Sequence, residues 1–232
     1  MRPIIHPAEA RRQFRELAAG EIGPGDLARG ALLIALEDNP QIDVEHYLGE
    51  LAAIADRVRR RGGPGEPPVF RLGHLHAELF DVAGFRGDTE DYYDPRNAYL
   101  NEVIDRRIGI PITLSIIVLD VATRIGLRAF GVGLPGHYIV KVQFELNEVY
   151  VDPFHGGATL TMNEIVELVS GVSGGKVRLT SEHLRSWTPR HTLLRVLANL
   201  QGMWTRAGDA RKAAAARERM DILQREDVPE RS

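Results

Sequence analysis

Cysteine is absent from this chain of 232 residues, and so are long apolar runs. Without cysteine, the chain forms no disulfide, no thiolate zinc site and no thiol nucleophile of its own. Apolar runs such as IIVL at 116–119 are far shorter than the roughly 20 residues that cross a bilayer. The opening stretch MRPIIHPAEARRQ also lacks the apolar core of a secretory signal. These absences predict a soluble, cytoplasmic protein without a membrane partner.

Neither sign of charge is in excess. The chain has 29 lysines and arginines against 32 aspartates and glutamates, for a formal net charge of −3. A protein dedicated to nucleic acid usually carries a basic excess, so we expect no nucleic-acid partner. Apolar residues make up 44% of the chain, which is ample for a buried core, and the length fits one large domain or two small ones.

The first third of the chain has the apolar spacing of helices. Leucines recur at helical spacing within 27–36, and a similar pattern runs through 43–61. The second run ends in RRRGG at 59–63, which predicts a helix stop, because arginines complement the helix C-terminus and glycine accepts a positive φ. We interpret this basic cluster as part of the helix end rather than as an anion site. A further helix is predicted from about 72 to 84, before a polar, ordered loop at 87–97.

The middle third changes character. Residues 111–125 are apolar on nearly every side, which predicts a helix buried in the core and closed by Gly126. Three β-type runs follow at 127–134, 137–144 and 148–154. Short turns join them, so the simplest arrangement is an antiparallel meander.

The last third returns to helix. Thr161 and Glu164 form a capping-box pattern that predicts a helix over 161–169. The segments 190–206 and 209–225 are predicted to form a helical hairpin similar to a single tetratricopeptide-type unit. A lone unit cannot build a solenoid, so we expect the hairpin to cap the main domain.

One group of residues suggests catalysis. His137 opens one predicted strand and Asp152 ends the next, so antiparallel pairing can bring the two side by side. An aspartate that accepts a hydrogen bond from one ring nitrogen raises the basicity of the other. Ser115 interrupts the apolar surface of the buried helix. These three residues form a possible set of nucleophile, base and orienting acid.

Each of the three also has a structural interpretation, and spacing alone leaves both open. Ser115 would hydrogen-bond a carbonyl one turn back in its helix. Asp152 would cap the turn at Pro153, and His137 would be a hydrogen-bonded core histidine. The other histidines, including His155, lack partners at ligand spacing. The sequence therefore predicts no metal site and no cofactor.

Three long motifs carry a resemblance to a known family. They are YYDPRNAYLNEVIDRRIGIPITLS, GVGLPGHYIVKV and VYVDPFHGG, within a region from about 72 to 165. In these motifs the chain resembles the SirB-like (UPF0162) family, a bacterial group with a transglutaminase-like core and a C-terminal tetratricopeptide-type segment. The resemblance implies an α+β fold, with a papain-like core of a buried helix on a small antiparallel sheet. We expect a helical N-terminal part at 1–86, the core at 87–187 and the helical hairpin at 188–232.

The resemblance also implies roles for two of the candidate residues. In thiol enzymes of the wider superfamily a cysteine at the helix start attacks an amide, a histidine is its base, and an aspartate orients the histidine. His137 and Asp152 match the last two residues. The cysteine has no counterpart here; Ser115 is the nearest candidate for its position, with Thr113 and Pro111 as alternatives. A serine hydroxyl is far less acidic than a thiol, and it needs a well-aligned base and an oxyanion hole.

Further polar residues of the same motifs are candidates for the cleft. Asn97 and Asn101 stand four residues apart on a predicted helix, which places them on one face. Together with Arg107 and Thr113, they are expected to line the cleft near His137. Alternatively, the asparagines and the arginine tie the loop at 87–96 to the core, since buried amides commonly satisfy backbone groups.

Three functions are consistent with these observations. We expect a non-catalytic binding or regulatory protein that keeps the cleft as a groove for a peptide or protein, because the thiol is missing while a histidine–aspartate pair remains. The alternative is a serine-dependent amide hydrolase or acyltransferase that uses Ser115, His137 and Asp152. The third is a purely structural scaffold.

Overall fold

A computed structural model describes residues 4–225 and shows a mixed fold of helices and two small sheets, which confirms the α+β class. The helices are α1 (Pro7–Ala19), α2 (Leu27–Asp38), α3 (Val44–Arg61), α4 (Pro68–His76), α5 (Leu100–Arg106), α6 (Pro111–Arg124), α7 (Met162–Ser173), α8 (Pro189–Arg206) and α9 (Ala210–Arg225). The strands are β1 (Arg86–Gly87), β2 (Ile108–Gly109), β3 (Arg128–Leu134), β4 (His137–Gln143), β5 (Glu148–Asp152) and β6 (Ala158–Leu160). None of these helices combines the length and the apolarity needed to cross a membrane.

Residues 1–3 and 226–232, at the ends of the first and third predicted parts, lie outside the described residues. The division of the chain at 86 and 187 stays a prediction. One apolar core nevertheless includes residues from the N-terminal helices, from α6 and the sheet, and from the C-terminal hairpin. The elements that hold the candidate site are therefore packed around a shared interior.

The helices of the first third form as predicted, with one local correction. α3 starts at the N-cap Asp43 and ends in its run of arginines. Gly62, which follows it, is extended (φ −99°), so the expected positive φ is wrong at this position. Arg57 and Arg61 bond to the buried carboxylate of Glu78 in the π-helical turn after α4. Two cations of this segment thus fasten α3 to the next helical segment.

The buried central helix is α6. Every residue from 111 to 122 is buried, because α3 packs on the helix from one side and strands β3 and β4 pack on it from another. Pro111 occupies the first turn, where its missing N–H costs no hydrogen bond. Gly126 follows the helix with φ +75°, a conformation that glycine adopts without strain.

The main sheet is the predicted meander with one more strand. Its order is β3-β4-β5-β6, and all neighbours are antiparallel. Sequence analysis did not predict β6, a strand of three residues that is too short for a periodic pattern. A second sheet consists of β1 and β2, which pair in parallel through Gly87 and Gly109. This pair brings the loop after β1 to the start of α6.

The C-terminal helices pack against each other and dock on α2. Arg219 of α9 is fully buried, and its guanidinium donates to the carbonyl oxygen of Ile34 (2.7 Å) and to a carboxylate oxygen of Asp38 (3.0 Å). The hairpin therefore caps the main domain. Its assignment as a tetratricopeptide-type unit stays a prediction.

Gly133 on β3 tests the packing between the sheet and the segment before α8. A β-carbon at this position would lie 2.2 Å from a ring carbon of Trp187, so Gly133→Ala forces the indole or the strand to move. We expect a loss of about 1–3 kcal/mol in the free energy of unfolding, measured by urea denaturation. Gly49→Ala, at an exposed position of α3, is the control. It meets no atom within 4 Å and should leave stability unchanged or raise it. Equal effects of the two substitutions would contradict this packing.

Candidate functional site

His137 and Asp152 lie side by side at one end of the sheet. His137 is the first residue of β4, and Asp152 is the last residue of β5, its antiparallel neighbour. The His137 Nε2 atom is 2.9 Å from Asp152 Oδ2. This is the juxtaposition that the spacing predicts, since the start of β4 and the end of β5 lie at the same edge of an antiparallel pair. A catalytic role for the pair stays a prediction.

A second histidine shares the same carboxylate. His155 Nδ1 is 2.8 Å from Asp152 Oδ2, so two imidazoles converge on one oxygen atom. The other oxygen, Oδ1, accepts from the backbone N–H groups of Phe154 (3.0 Å) and His155 (3.4 Å). The expectation that His155 has no partner is therefore wrong. A short helical turn over Pro153–His155 folds the ring back onto the strand end.

Burial and hydrogen bonding act in opposite directions on the Asp152 carboxylate. Removal from water raises its pKa, and the hydrogen bonds and positive charge of His137 and then His155 lower it. The lowering effects prevail, so the pKa of Asp152 lies below its ordinary value. Asp152 is therefore an ionised hydrogen-bond acceptor at neutral pH.

The cluster of His137, Asp152 and His155 reaches solvent on one side. The side chains of His137 and Asp152 are 5% and 1% exposed, whereas that of His155 is 55% exposed. The two imidazoles are stacked, with centroids 5.8 Å apart and planes 29° from parallel. Phe154 presents an edge-to-face contact to each ring. His155 thus stands between solvent and a buried pair.

Ser115 does not join this cluster. Its side chain is fully buried in α6, and its Oγ has no hydrogen-bond partner within the described part of the chain. The hydrogen bond to His137 that a serine hydrolase requires is thus not formed. The alternative expectation, a bond to a carbonyl one turn back, is also wrong. Because α6 is buried around Ser115, water does not reach the hydroxyl either.

Thr113 is committed to the backbone. Its Oγ1 donates to the carbonyl oxygen of Asn97 at 2.6 Å and also lies 3.1 Å from that of Ile110. It therefore ties the start of α6 to the segment before α5 and is not a free hydroxyl beside His137. Pro111, the other alternative for the ancestral cysteine position, has no nucleophilic group.

Asn97 ties the polar loop to the core, which is the second of its two predicted roles. Its amide nitrogen donates to Asp88 Oδ2 (2.9 Å) and to the carbonyl oxygen of Asp91 (2.8 Å), and its Oδ1 accepts from Arg106 (3.2 Å). The prediction that it shares a helix face with Asn101 is wrong. Tyr99 between them is extended (φ −93°, ψ 120°) and separates a short 3₁₀ turn from α5.

Arg107 closes α5 in the left-handed conformation (φ 61°), which is unusual for a residue with a side chain. Its guanidinium carbon lies 4.7 Å from the ring centroid of Phe85. This cation–π contact holds the connection between α5 and β2 against Phe85, the residue before β1. The structure thus shows a packing contact for Arg107, and a place in the cleft stays a prediction.

Asn101 lines a cavity that does not include His137. This cavity of about 430 Å³ lies between the hairpin, the end of α2 and residues 94–102, and Trp204 and Lys212 form part of its wall. Asn101 Oδ1 is buried and lacks a hydrogen-bond partner among residues 4–225. A buried acceptor without a donor is costly unless water or a ligand supplies one. Asn101 is therefore a binding residue candidate, though not beside His137.

Hydrogen bonds link three residues that line this cavity, Trp204, Tyr99 and Asp38. Trp204 Nε1 donates to the Tyr99 hydroxyl (2.9 Å), which in turn donates to Asp38 Oδ2 (2.9 Å). The ammonium of Lys212 lies 4.0 Å from the centroid of the Trp204 ring. Burial raises the pKa of Tyr99, and the negative charge of Asp38 raises it further. The hydroxyl is thus a stable donor that fixes both aromatic rings.

Comparison with known proteins agrees with this architecture. A family model described as "Transglutaminase-like superfamily" matches residues 45–198 and defines the class of protein. A UPF0162 protein of Xylella fastidiosa (strain 9a5c) is 33% identical over 193 residues, which cover 82% of this chain and 69% of that relative. The chain therefore belongs to the UPF0162 family of transglutaminase-like proteins, as its motifs predict.

Other relatives are more distant. A UPF0162 protein of Pseudomonas aeruginosa is 27% identical over 186 residues, which cover 80% of this chain and 67% of the relative. The human F-box only protein 21 is 26% identical over 159 residues, which cover 65% of this chain but only 24% of that protein. No solved structure gives a significant match.

The lowered pKa of Asp152 predicts a pH-dependent contribution to stability. The ionised Asp152 stabilises the fold fully at pH values above the pKa of an aspartate in the unfolded chain, which is about 3.9. This stabilisation is lost as the pH falls through the lower pKa that Asp152 has in the folded protein. We expect Asp152→Asn to cost about 1–3 kcal/mol in the free energy of unfolding at about pH 6. The gap between wild type and variant should shrink at about pH 2.5. Urea denaturation at both pH values measures it, and an unchanged gap would contradict the proposed ionisation.

Proposed function

We propose that this transglutaminase-like protein acts by binding a peptide or protein, without thiol or serine catalysis. The observation that carries the proposal is the position of Ser115, whose hydroxyl is buried and makes no hydrogen bond to His137. A histidine–aspartate pair can take a proton from a nucleophile only within hydrogen-bond reach. The pair is therefore a base without an internal nucleophile.

Other residues do not supply the missing group. The chain has no cysteine, and the hydroxyl of Thr113, the other candidate for the nucleophile position, is bonded to two carbonyl oxygens. Removing the nucleophile from a Ser–His–Asp set leaves only the weak contribution of binding and polar stabilisation. These facts support a regulatory or binding role in place of acyl transfer.

The cavity at Asn101 has the chemistry of a recognition site. Tyr99 and Trp204 offer aromatic surface, and the carboxylate of Glu102 and the orphan Oδ1 of Asn101 offer acceptors. Pockets of this size commonly combine apolar walls with a few fixed polar groups. The arrangement suits a peptide segment with an apolar or aromatic side chain beside a cationic or amide donor. An open cavity that combines aromatic surface with charged and amide groups also counts against a purely structural scaffold.

A serine-directed probe tests the absence of hydrolase chemistry. We expect a fluorophosphonate to leave Ser115 unlabelled in the native protein, because its hydroxyl has neither solvent access nor a base. Intact-mass and peptide mass spectrometry measure labelling, and Ser115→Ala is the matched control. An adduct that maps to Ser115 and disappears in this variant would overturn the non-catalytic proposal.

Peptide binding is tested with the full chain and a displayed peptide library. Selected peptides should carry an apolar residue next to a lysine, arginine or amide side chain. Glu102→Gln removes an attractive charge from the cavity wall and should weaken the affinity of a cationic peptide by about tenfold, read by fluorescence anisotropy. Lys212→Ala removes a like charge from the same wall and should strengthen the affinity of that peptide.

Arg217→Ala is the matched control for the binding experiment. It lies on α9 like Lys212, but its exposed side chain pairs with Asp221 and is not part of the cavity wall. The control should bind as wild type does. Peptides that bind the two cavity variants as tightly as wild type would refute a role for this cavity.

A further inference from the structure

The cluster at the end of the sheet has a donor set that the proposed binding function does not use. One ligand-type atom from each of His137, Asp152 and His155 lies within 4.8 Å of the other two. This cluster is distinct from the cavity at Asn101, because none of its three residues lines that cavity. We propose that His137 Nε2, Asp152 Oδ2 and His155 Nδ1 bind one divalent transition-metal ion, with Zn²⁺ as the best match.

Distances within the cluster fit one small ion. Ligand atoms about 2.0–2.1 Å from a tetrahedral zinc ion lie about 3.3 Å from each other. The two nitrogen–oxygen distances are 2.9 and 2.8 Å, so each pair must open by roughly 0.4–0.5 Å. The two imidazoles need only small rotations for this, and Asp152 can stay in place.

Neighbouring groups already orient the three proposed metal ligands. Asp152 Oδ1 is held by two backbone N–H groups of the following turn, which leaves Oδ2 directed at both rings. Phe154 packs against each imidazole from the side. Such second-layer contacts fix ligand rotamers and lower the cost of ordering the site on binding.

Charge and access favour the same class of ion. A carboxylate is a charged ligand at neutral pH, and a neutral imidazole offers a lone pair once its proton resides on the other ring nitrogen. Two nitrogens and one oxygen suit Zn²⁺, Co²⁺ or Ni²⁺ better than Mg²⁺ or Ca²⁺, which prefer oxygen ligands. The ion enters from the side of exposed His155, and water completes its coordination there.

Titration of the untagged full chain with Zn²⁺ or Co²⁺ alone tests the site. We expect one ion per chain by calorimetry, visible absorption bands of low-symmetry Co²⁺, and a higher Tm in the presence of Zn²⁺. His155→Ala should lower the affinity at least tenfold and abolish the Tm shift. Because His155 is exposed at its side chain, this variant should keep the wild-type circular dichroism spectrum.

His74→Ala is the matched control. His74 is also a partly exposed imidazole bonded to a carboxylate, that of Glu66 at 2.9 Å, but it has no second histidine in that contact. This variant should bind Zn²⁺ as wild type does. Absence of binding to wild type, or equal binding by His155→Ala and wild type, would overturn the proposal. The peptide-binding experiment concerns the cavity at Asn101. Its result therefore does not decide whether the cluster of His137, Asp152 and His155 binds a metal ion.

Discussion

α6 is buried from Pro111 to Ala122, and this constraint determines how the surrounding elements must pack. A helix without a solvent face needs partners on every side, which α3 and the meander sheet provide. Its polar residues must then find partners within the protein, because water is excluded. Thr113 donates to carbonyl groups, and Asp120 pairs with Arg124 at 2.6 Å, although burial raises the pKa of Asp120. Ser115 is the exception, since its hydroxyl is buried without a hydrogen bond.

The sheet places its chemistry at strand ends, outside this closed interior. Asp152 ends β5 and receives hydrogen bonds from two imidazoles and two backbone groups. Four bonds on one buried carboxylate make this corner of the fold rigid and strongly polar. Ser115 of α6 makes no hydrogen bond to this corner, because its Oγ has no partner among the described residues.

Local rules sufficed for much of this architecture. The apolar pattern of α6, the capping box at Thr161 and the short turns of the meander are signals within a few residues, and the structure follows them. The contact between His137 and Asp152 followed from strand pairing alone. Family motifs then supplied the core fold that periodicity could not name.

The remaining features depend on tertiary structure. His155 reaches Asp152 only because a 3₁₀ turn ends at Gly156 in the left-handed conformation. Asn101 and Asn97 belong to different helical turns because Tyr99 between them is extended, and Tyr99 is held by hydrogen bonds to Asp38 and Trp204 from distant parts of the chain. The spacing of residues along the sequence cannot predict such contacts. A DPFH sequence directly after a strand was the one local signal that pointed to His155.

The buried guanidinium of Arg219 joins the two ends of the chain. Its partners Ile34 and Asp38 precede it by 185 and 181 positions, and Arg11 of α1 likewise pairs with Glu218. During synthesis on the ribosome, the contacts of Arg219 with α2 form only after α9 has been made, whereas Asp38 can already accept a hydrogen bond from Tyr99. Contacts of such long sequence separation slow folding and expose apolar surface meanwhile. α1, α3, α5 and α6 can cover most sides of α2 earlier, so the side that the hairpin covers is buried late and stays exposed to chaperones until then.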